Sequence, residues 1–314
     1  MSLLAVGSVA LDSVETPFGR RDDVLGGSAT YFSTCASFFG PVRLVAVVGE
    51  DFPEEHLDFL RGRGVDLAGL ARAPGRTFRW TGRYEFDLNQ AHTLDTQLNV
   101  FAGFRPDLPE PFRDSSHVFL GNIDPDLQRR VLDQVRAPRF VAADTMNFWI
   151  ASKRESLVET LGRVDLLFVN DAEVRQLAGE HNVVRAAQAV LRFGPRAVVV
   201  KRGEYGALFF SGEEVFAASA YPLPELFDPT GAGDSFAGGF MGYLARSGAD
   251  DHATMRRAIV LGGVLASFAV ERFSLERLRN LGTDEIRSRY AEFRRLTHFE
   301  DLEVDILGGD GSRR

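Results

Sequence analysis

The chain is 314 residues long, 45% hydrophobic and 25% charged, with 36 Lys and Arg against 44 Asp and Glu and a formal charge of −8. That is the composition of a folded globular protein with room for a large core. The acidic balance disfavours a general nucleic-acid surface, no run approaches the roughly 18 apolar residues of a membrane span, and the single cysteine, Cys35, leaves neither an internal disulfide nor a cysteine-based zinc site.

The opening Met-Ser-Leu-Leu-Ala-Val-Gly has no basic leader, so a cytoplasmic location is the default expectation. Leu3–Val6 is a short apolar run closed by Gly7 and reads as a buried first strand. Asp12 follows it. Ligands of open α/β sheets sit beyond the carboxyl ends of strands, so Asp12 is either a solvated turn residue or an acceptor for ligand hydroxyls. Gly26-Gly27 leads into Ser28 as a turn before a helix N-cap, and a small-residue helix then runs through Phe39. Cys35 lies in this apolar stretch and is expected to be a buried thiol. Val42–Val48 reads as a second core strand ending at Gly49-Glu50-Asp51, and Pro53–Arg63 as a helix. From Gly64 the texture changes. Thr77–Phe86 alternates aromatic and polar residues, and Gln97–Phe101 reads as another extended run. Together they suggest a small sheet with one exposed face, either an ordinary edge hairpin or a cover.

From Ser116 the pattern is regular. His117–Leu120, Phe140–Ala143, Leu166–Val169 and Ala197–Val200 are short apolar runs separated by helical segments. That alternation implies a parallel sheet with helices on its faces. Polar residues recur at successive strand ends: Asn122 and Asp124, Asp144 and Asn147, Asn170 and Glu173. One such pair is commonplace in turns, whereas their recurrence points to a shared crevice. Asn170-x-x-Glu173 also has the spacing of a helix capping box. Lys201, Gly203 and Gly206 lie in a tight link between Ala197–Val200 and Ala207–Phe210, with Lys201 either solvated or lending positive charge. Ala258–Val270 is a small-and-apolar helix, and residues 303–314 are expected to form a disordered tail.

The most informative stretch is Asp228–Phe240, reading Asp-Pro-Thr-Gly-Ala-Gly-Asp-Ser-Phe-Ala-Gly-Gly-Phe. Pro229 argues against helix just before the glycines. Gly231 and Gly233 permit a tight turn with converging amides, and Phe236, Ala237, Phe240, Met241 and Leu244 then follow a helical period. A glycine turn feeding a helix N-terminus is a seat for an anion. Asp234 adds a carboxylate there. An acid at that position is either helix electrostatics, worth ~0.3–1 kcal/mol, or the base of a phosphoryl transfer to a hydroxyl.

Gly231-Ala232-Gly233-Asp234 resembles the C-terminal signature of the ribokinase/PfkB family of carbohydrate and nucleoside kinases. Gly26-Gly27 is similar to that family's N-terminal signature, and Asn170-x-x-Glu173 to its Asn-x-x-Glu motif. The resemblance implies a single ribokinase-like domain over residues 1–302. Its fold would be an α/β three-layer sandwich with a mainly parallel central sheet flanked by helices. Segments roughly 10–25 and 72–103 would be inserted as a small β-sheet lid, a surface that also pairs two copies in some members. The implied activity is ATP-dependent transfer of the γ-phosphoryl group to a hydroxymethyl group of a small sugar. A nucleoside kinase is the alternative, and a silent sugar or nucleotide sensor the third reading.

The same resemblance assigns roles. Asp234 would be the base, with Gly231, Ala232 and Gly233 as the anion hole. Asp12, Gly26, Gly27, Thr30 and Asn122 would surround the acceptor. Asn170, Lys201, Gly203, Gly206 and Thr230 would surround ATP, and Glu173 would organise Mg²⁺ through water. Many sugar kinases of the family carry an Asn shortly after the Gly-Gly pair, where Thr30 and Tyr31 stand here. Phe18, Tyr31, Trp80, Phe86 and Phe148 would supply the flat slot that a nucleoside base needs. The loop Val270–Ser274 lacks the glycine of the family's monovalent-cation loop, so potassium activation is not implied. A dinucleotide oxidoreductase is disfavoured because Phe236 stands where the fingerprint needs a third glycine, and no Gly-x4-Gly-Lys P-loop is present.

Overall fold

The computed structural model describes residues 2–301, and the tail expected at 303–314 lies outside the described residues. The strands are β1 (Leu3–Val6), β2 (Ala10–Thr16), β3 (Gly19–Gly26), β4 (Val42–Gly49), β5 (Val65–Ala73), β6 (Arg79–Tyr84), β7 (Ala91–Gln97), β8 (His117–Leu120), β9 (Phe140–Asp144), β10 (Leu166–Asn170), β11 (Ala197–Lys201), β12 (Ala207–Ser211) and β13 (Glu214–Ala218). The helices are α1 (Ser28–Ala36), α2 (Glu54–Gly62), α3 (Pro125–Leu132), α4 (Asn147–Ser152), α5 (Arg154–Leu161), α6 (Asp171–Ala178), α7 (Val183–Leu191), α8 (Ala232–Ser247), α9 (His252–Ala269), α10 (Glu276–Arg279) and α11 (Thr283–Leu296).

Nine strands form one sheet in the order β13-β12-β11-β10-β9-β8-β1-β4-β5. The run from β5 to β11 is parallel throughout, and β12 and β13 add antiparallel strands at one edge. Such strands are buried on both faces, which is why they read as unbroken apolar runs. Successive side chains alternate between two cores. Leu3 and Ala5 pack with Phe32, Phe119 and Phe240 under α1, α8 and α9; Leu4 and Val6 pack with Val131, Leu157 and Val174 under α3, α5 and α6. Helices thus cover both faces of a mainly parallel sheet, the α/β three-layer sandwich expected from the sequence.

A second sheet has the order β3-β2-β6-β7. β5, where the sequence changes texture, belongs instead to the edge of the large sheet. The extended run expected over Gln97–Phe101 is corrected: Gln97 ends β7, and Asn99–Gly103 coils into a 3₁₀ turn entered at Asn99 with φ +47°. Phe101 lies between Phe78 and Phe104, each ring centroid 5.3 Å away, so aromatic packing overrides the local pattern. Among the described residues, no helix is long and apolar enough to cross a membrane.

Candidate active site

β1 lies between β4 and β8, so the strand order reverses there and a crevice opens beyond the carboxyl ends. Gly7 and Gly121 close these strands, and a Cβ on either would come within 2.8 and 3.0 Å of Ser28 Oγ. The head of α1 is thereby held against the strand ends.

Asp12 is buried on β2, and its Oδ2 accepts the Gly27 amide at 3.3 Å. Gly27 has φ +92°, and a Cβ there would sit 2.5 Å from the Ser8 carbonyl oxygen. A Cβ on Gly26 would overlap the Asp12 carboxylate, at 1.9 Å. The glycine pair therefore exists to let the backbone close around Asp12. Burial, reinforced by Asp228 and Asp234, pushes Asp12 up to about 7. All of α1 is buried, Thr30 has no exposed surface, and its Oγ1 has no partner among the described residues. The Tyr31 ring underlies Gly231.

Gly231 precedes α8 with φ +74°, and a Cβ there would meet the Tyr31 ring at 2.4 Å. The Ala232 amide is engaged with the Pro229 carbonyl at 3.2 Å, whereas those of Gly231 and Gly233 have no acceptor among the described residues. Lys201 Nζ comes within 2.9 Å of where a Cβ on Gly233 would be, and pairs with Asp144 Oδ2 at 2.8 Å. Burial opposes the Lys201 charge, but Asp144, Glu173 and Asp234 outweigh it and hold the ammonium above its ordinary range. Asp234 stands in the first turn of α8. Burial and the nearby Asp144 carboxylate push it up to about 7, against the attraction of Lys201. A neutralisable acid beside free amides and a half-buried cation can take a proton where negative oxygen gathers.

On the neighbouring strand end, Asn170 Oδ1 accepts the Glu173 amide at 2.8 Å and Glu173 Oε2 accepts the Asn170 amide at 2.7 Å. This capping box holds the Glu173 carboxylate in place and leaves its other oxygen unengaged. Burial pushes Glu173 up to about 7, with Lys201 opposing and Asp144 adding. Gly203 and Gly206 make the link from β11 to β12, with φ +53° and +85°. A Cβ on Gly203 would meet Asn89 Oδ1, from the turn between β6 and β7, at 2.1 Å. The small sheet thus reaches the end of β11. Asn122 lies at the end of β8 and accepts the Trp149 indole N–H at 3.1 Å. Asp124 caps α3 and pairs with Lys153 at 2.7 Å, so it is committed to that helix. Asn147 is exposed at the start of α4.

Tyr84 and Ser274, which sequence spacing does not mark, join Asp228 in a further set of contacts. Tyr84 is buried on β6, and its hydroxyl meets Thr230 Oγ1 at 3.3 Å. Its only sequence signal is alternation with Trp80 and Gly82. Asp228 is buried and accepts the Thr230 and Ser274 amides, each at 2.9 Å. Ser274 in turn donates to the Leu25 carbonyl at 2.5 Å, joining the Asp228–Thr230 segment to β3. Cys35 is buried, as expected, and burial pushes its thiol up to about 12. A groove of about 900 Å³ among Phe38, Tyr243, Arg246 and Tyr290 lies at the other end of α8 and includes none of these groups.

A profile of the pfkB family of carbohydrate kinases matches residues 23–278. A cytidine kinase of Thermococcus kodakarensis is 32% identical over 251 residues, covering 78% of this chain and 89% of that protein. A nucleoside kinase of Methanothermobacter thermautotrophicus is 28% identical over 290 residues, covering 86% and 89%. An Escherichia coli structure described as a ribokinase II in complex with ATP and Mg²⁺ superposes with a TM-score of 0.75 at 21% identity, over 93% of this chain and 99% of that one. The chain belongs to the pfkB family of carbohydrate kinases.

Proposed function

We propose that this kinase phosphorylates a hydroxymethyl group of a nucleoside at the expense of ATP. The single observation that carries the chemistry is Asp234 at the head of α8, beside the unengaged Gly233 amide and the half-buried Lys201. Asp234 takes the proton of the acceptor hydroxyl as the new oxygen–phosphorus bond forms. The Gly231 and Gly233 amides, with Lys201, hold the negative oxygens that gather there. Asp12, fixed between Gly26 and Gly27, accepts hydrogen bonds from the acceptor's other hydroxyls. Asn122, at the end of β8, contributes a further polar group to the acceptor side. The small sheet closes over them as a lid.

The residues fit a magnesium nucleotide. Two free amides and one half-buried ammonium suit phosphate oxygens, and the Glu173 oxygen left unengaged among the described residues suits a hydrated cation, since Mg²⁺ keeps several of its waters. ATP with Mg²⁺ would supply the phosphoryl group and neutralise part of its charge. Asn170, Lys201, Gly203, Gly206 and Thr230 would line its site.

A nucleoside is favoured over a free sugar by two observations. The cytidine and nucleoside kinases above cover most of the chain. Aromatic surface also remains at the rim: Phe18 and Phe148 are exposed, and Trp80 pairs across the small sheet with Asp12 and shares its face. A coupled ADP assay across cytidine, adenosine, inosine, ribose and hexoses tests the reading. Acceptor-dependent ADP with a nucleoside is expected. Release with free sugars only would overturn the acceptor class, and none with any acceptor would overturn the activity. The exposed edge strand β7 is where a second copy would pair, which light scattering would detect.

A further inference from the structure

We propose that Trp149 is a positioning residue for the acceptor, acting by fixing the orientation of the Asn122 amide. The inference rests on the nucleoside-kinase reading above. The strand order β1-β8-β9-β10-β11 sets the strand ends in a row, with Asn122 between the Gly7–Ser28 corner and the Asp144–Lys201 pair. Asn122 is half-buried there. An asparagine amide has two ends, an acceptor and a double donor, and only its partners decide which end faces a ligand.

Here the partner decides. An indole N–H can only donate, so the group 3.1 Å from Trp149 Nε1 must be the Asn122 carbonyl. The reversed amide would set donor against donor. Nδ2 is therefore the end left over, and it has no hydrogen-bond acceptor among the described residues. The backbone beneath is also tied: Gln128 Nε2 donates to the carbonyls of Gly121 and Asp144, at 2.9 Å each, locking the ends of β8 and β9 together. Trp149 is held edge-on by Phe148, with centroids 4.8 Å apart at 78°. The result is a fixed pair of N–H donors in the acceptor corner. It recognises an oxygen that accepts, such as a ribose hydroxyl or a base carbonyl, and rejects a group that only donates.

A double-mutant cycle tests this, read by calorimetric binding of cytidine, inosine and adenosine as well as by turnover. Trp149→Phe keeps the ring and removes the N–H. Binding of the preferred nucleoside is expected to fall about tenfold, the worth of one hydrogen bond, with KM for ATP unchanged. Asn122→Ala should fall at least as far, and the double variant should match Asn122→Ala alone, because Trp149 acts only through that amide. Trp149→His, which restores an N–H, should recover part of the loss and carries the test if the Phe variant does not fold. Wild-type-like nucleoside binding by Trp149→Phe, or additive losses in the cycle, would overturn the proposal while leaving the nucleoside reading intact. If the wild type binds no nucleoside, both readings fall.

Discussion

The chemistry at Asp234 depends on where its proton sits. A carboxylate pushed up to about 7 by burial and by Asp144 is half-protonated near neutrality and a better base than a solvated aspartate. Replacing it with Asn preserves the shape and removes the base. Asp234→Asn is expected to lower kcat by about 10²–10⁴-fold while ATP binding, measured by calorimetry, stays near wild type. Near-wild-type turnover would reject Asp234 as the base. The same position shapes the pH profile. Below about 7 the carboxylate of the free enzyme is increasingly protonated and cannot accept, so kcat/KM should fall toward acid with a limb near 7. A profile flat from pH 5 to 8 would contradict that.

At the scale of elements, the glycine turns are constrained by what occupies the space of the missing side chain. Gly203 and Gly206 both have left-handed backbones, but a Cβ at Gly203 meets the end of the Asn89 side chain, and one at Gly206 meets the Ala218 carbonyl at 2.0 Å. Asn89 can rotate away; the β13 backbone cannot. Gly203→Ala should therefore cost about 1–2 kcal/mol, the strain of the left-handed conformation alone, and Gly206→Ala distinctly more, as measured by urea unfolding. Equal losses would show that β13 does not set the requirement at Gly206. The elements also show what the sequence could carry. Parallel strands, their polar ends and the turn at Gly231–Asp234 were legible because each is written in consecutive residues. The surroundings of Thr30 were not legible, because proximity to Gly26-Gly27 says nothing about which side of α1 faces inward, and α1 turns out to be buried all round. Tyr84 was missed because its partner Thr230 is 146 residues away, and the engagement of the Ala232 amide because it depends on the local turn geometry. Lys201 was noted for its charge, but its pairing with Asp144 belongs to the sheet, not to the local pattern.

Across the whole molecule, the crevice concentrates acids at a cost in stability. Asp12, Glu173 and Asp234 are each raised to about 7, from 3.8 for the aspartates and 4.5 for the glutamate. Between about pH 4 and 7 the folded chain binds more protons at these sites than the unfolded chain does, so their contribution to stability is complete in acid and lost as pH rises through 7. In the absence of ligands, the melting temperature should decline from pH 5 to 7.5 more steeply for wild type than for Asp12→Asn/Glu173→Gln/Asp234→Asn, whose amides mimic the protonated acids. Parallel declines would show that these acids are not shifted.

The placement of β1 has a further outcome. It precedes the other described strands in chain order yet lies inside the sheet, with Leu3 in register with Val42 on one side and with His117 on the other. Its second edge has no native partner until β8 has been translated, and contacts of that sequence separation slow the search for the native state. The nascent chain must meanwhile carry an open, apolar strand edge, a template for pairing with the wrong chain. Synthesis speed between β4 and β8 is thus a determinant of yield.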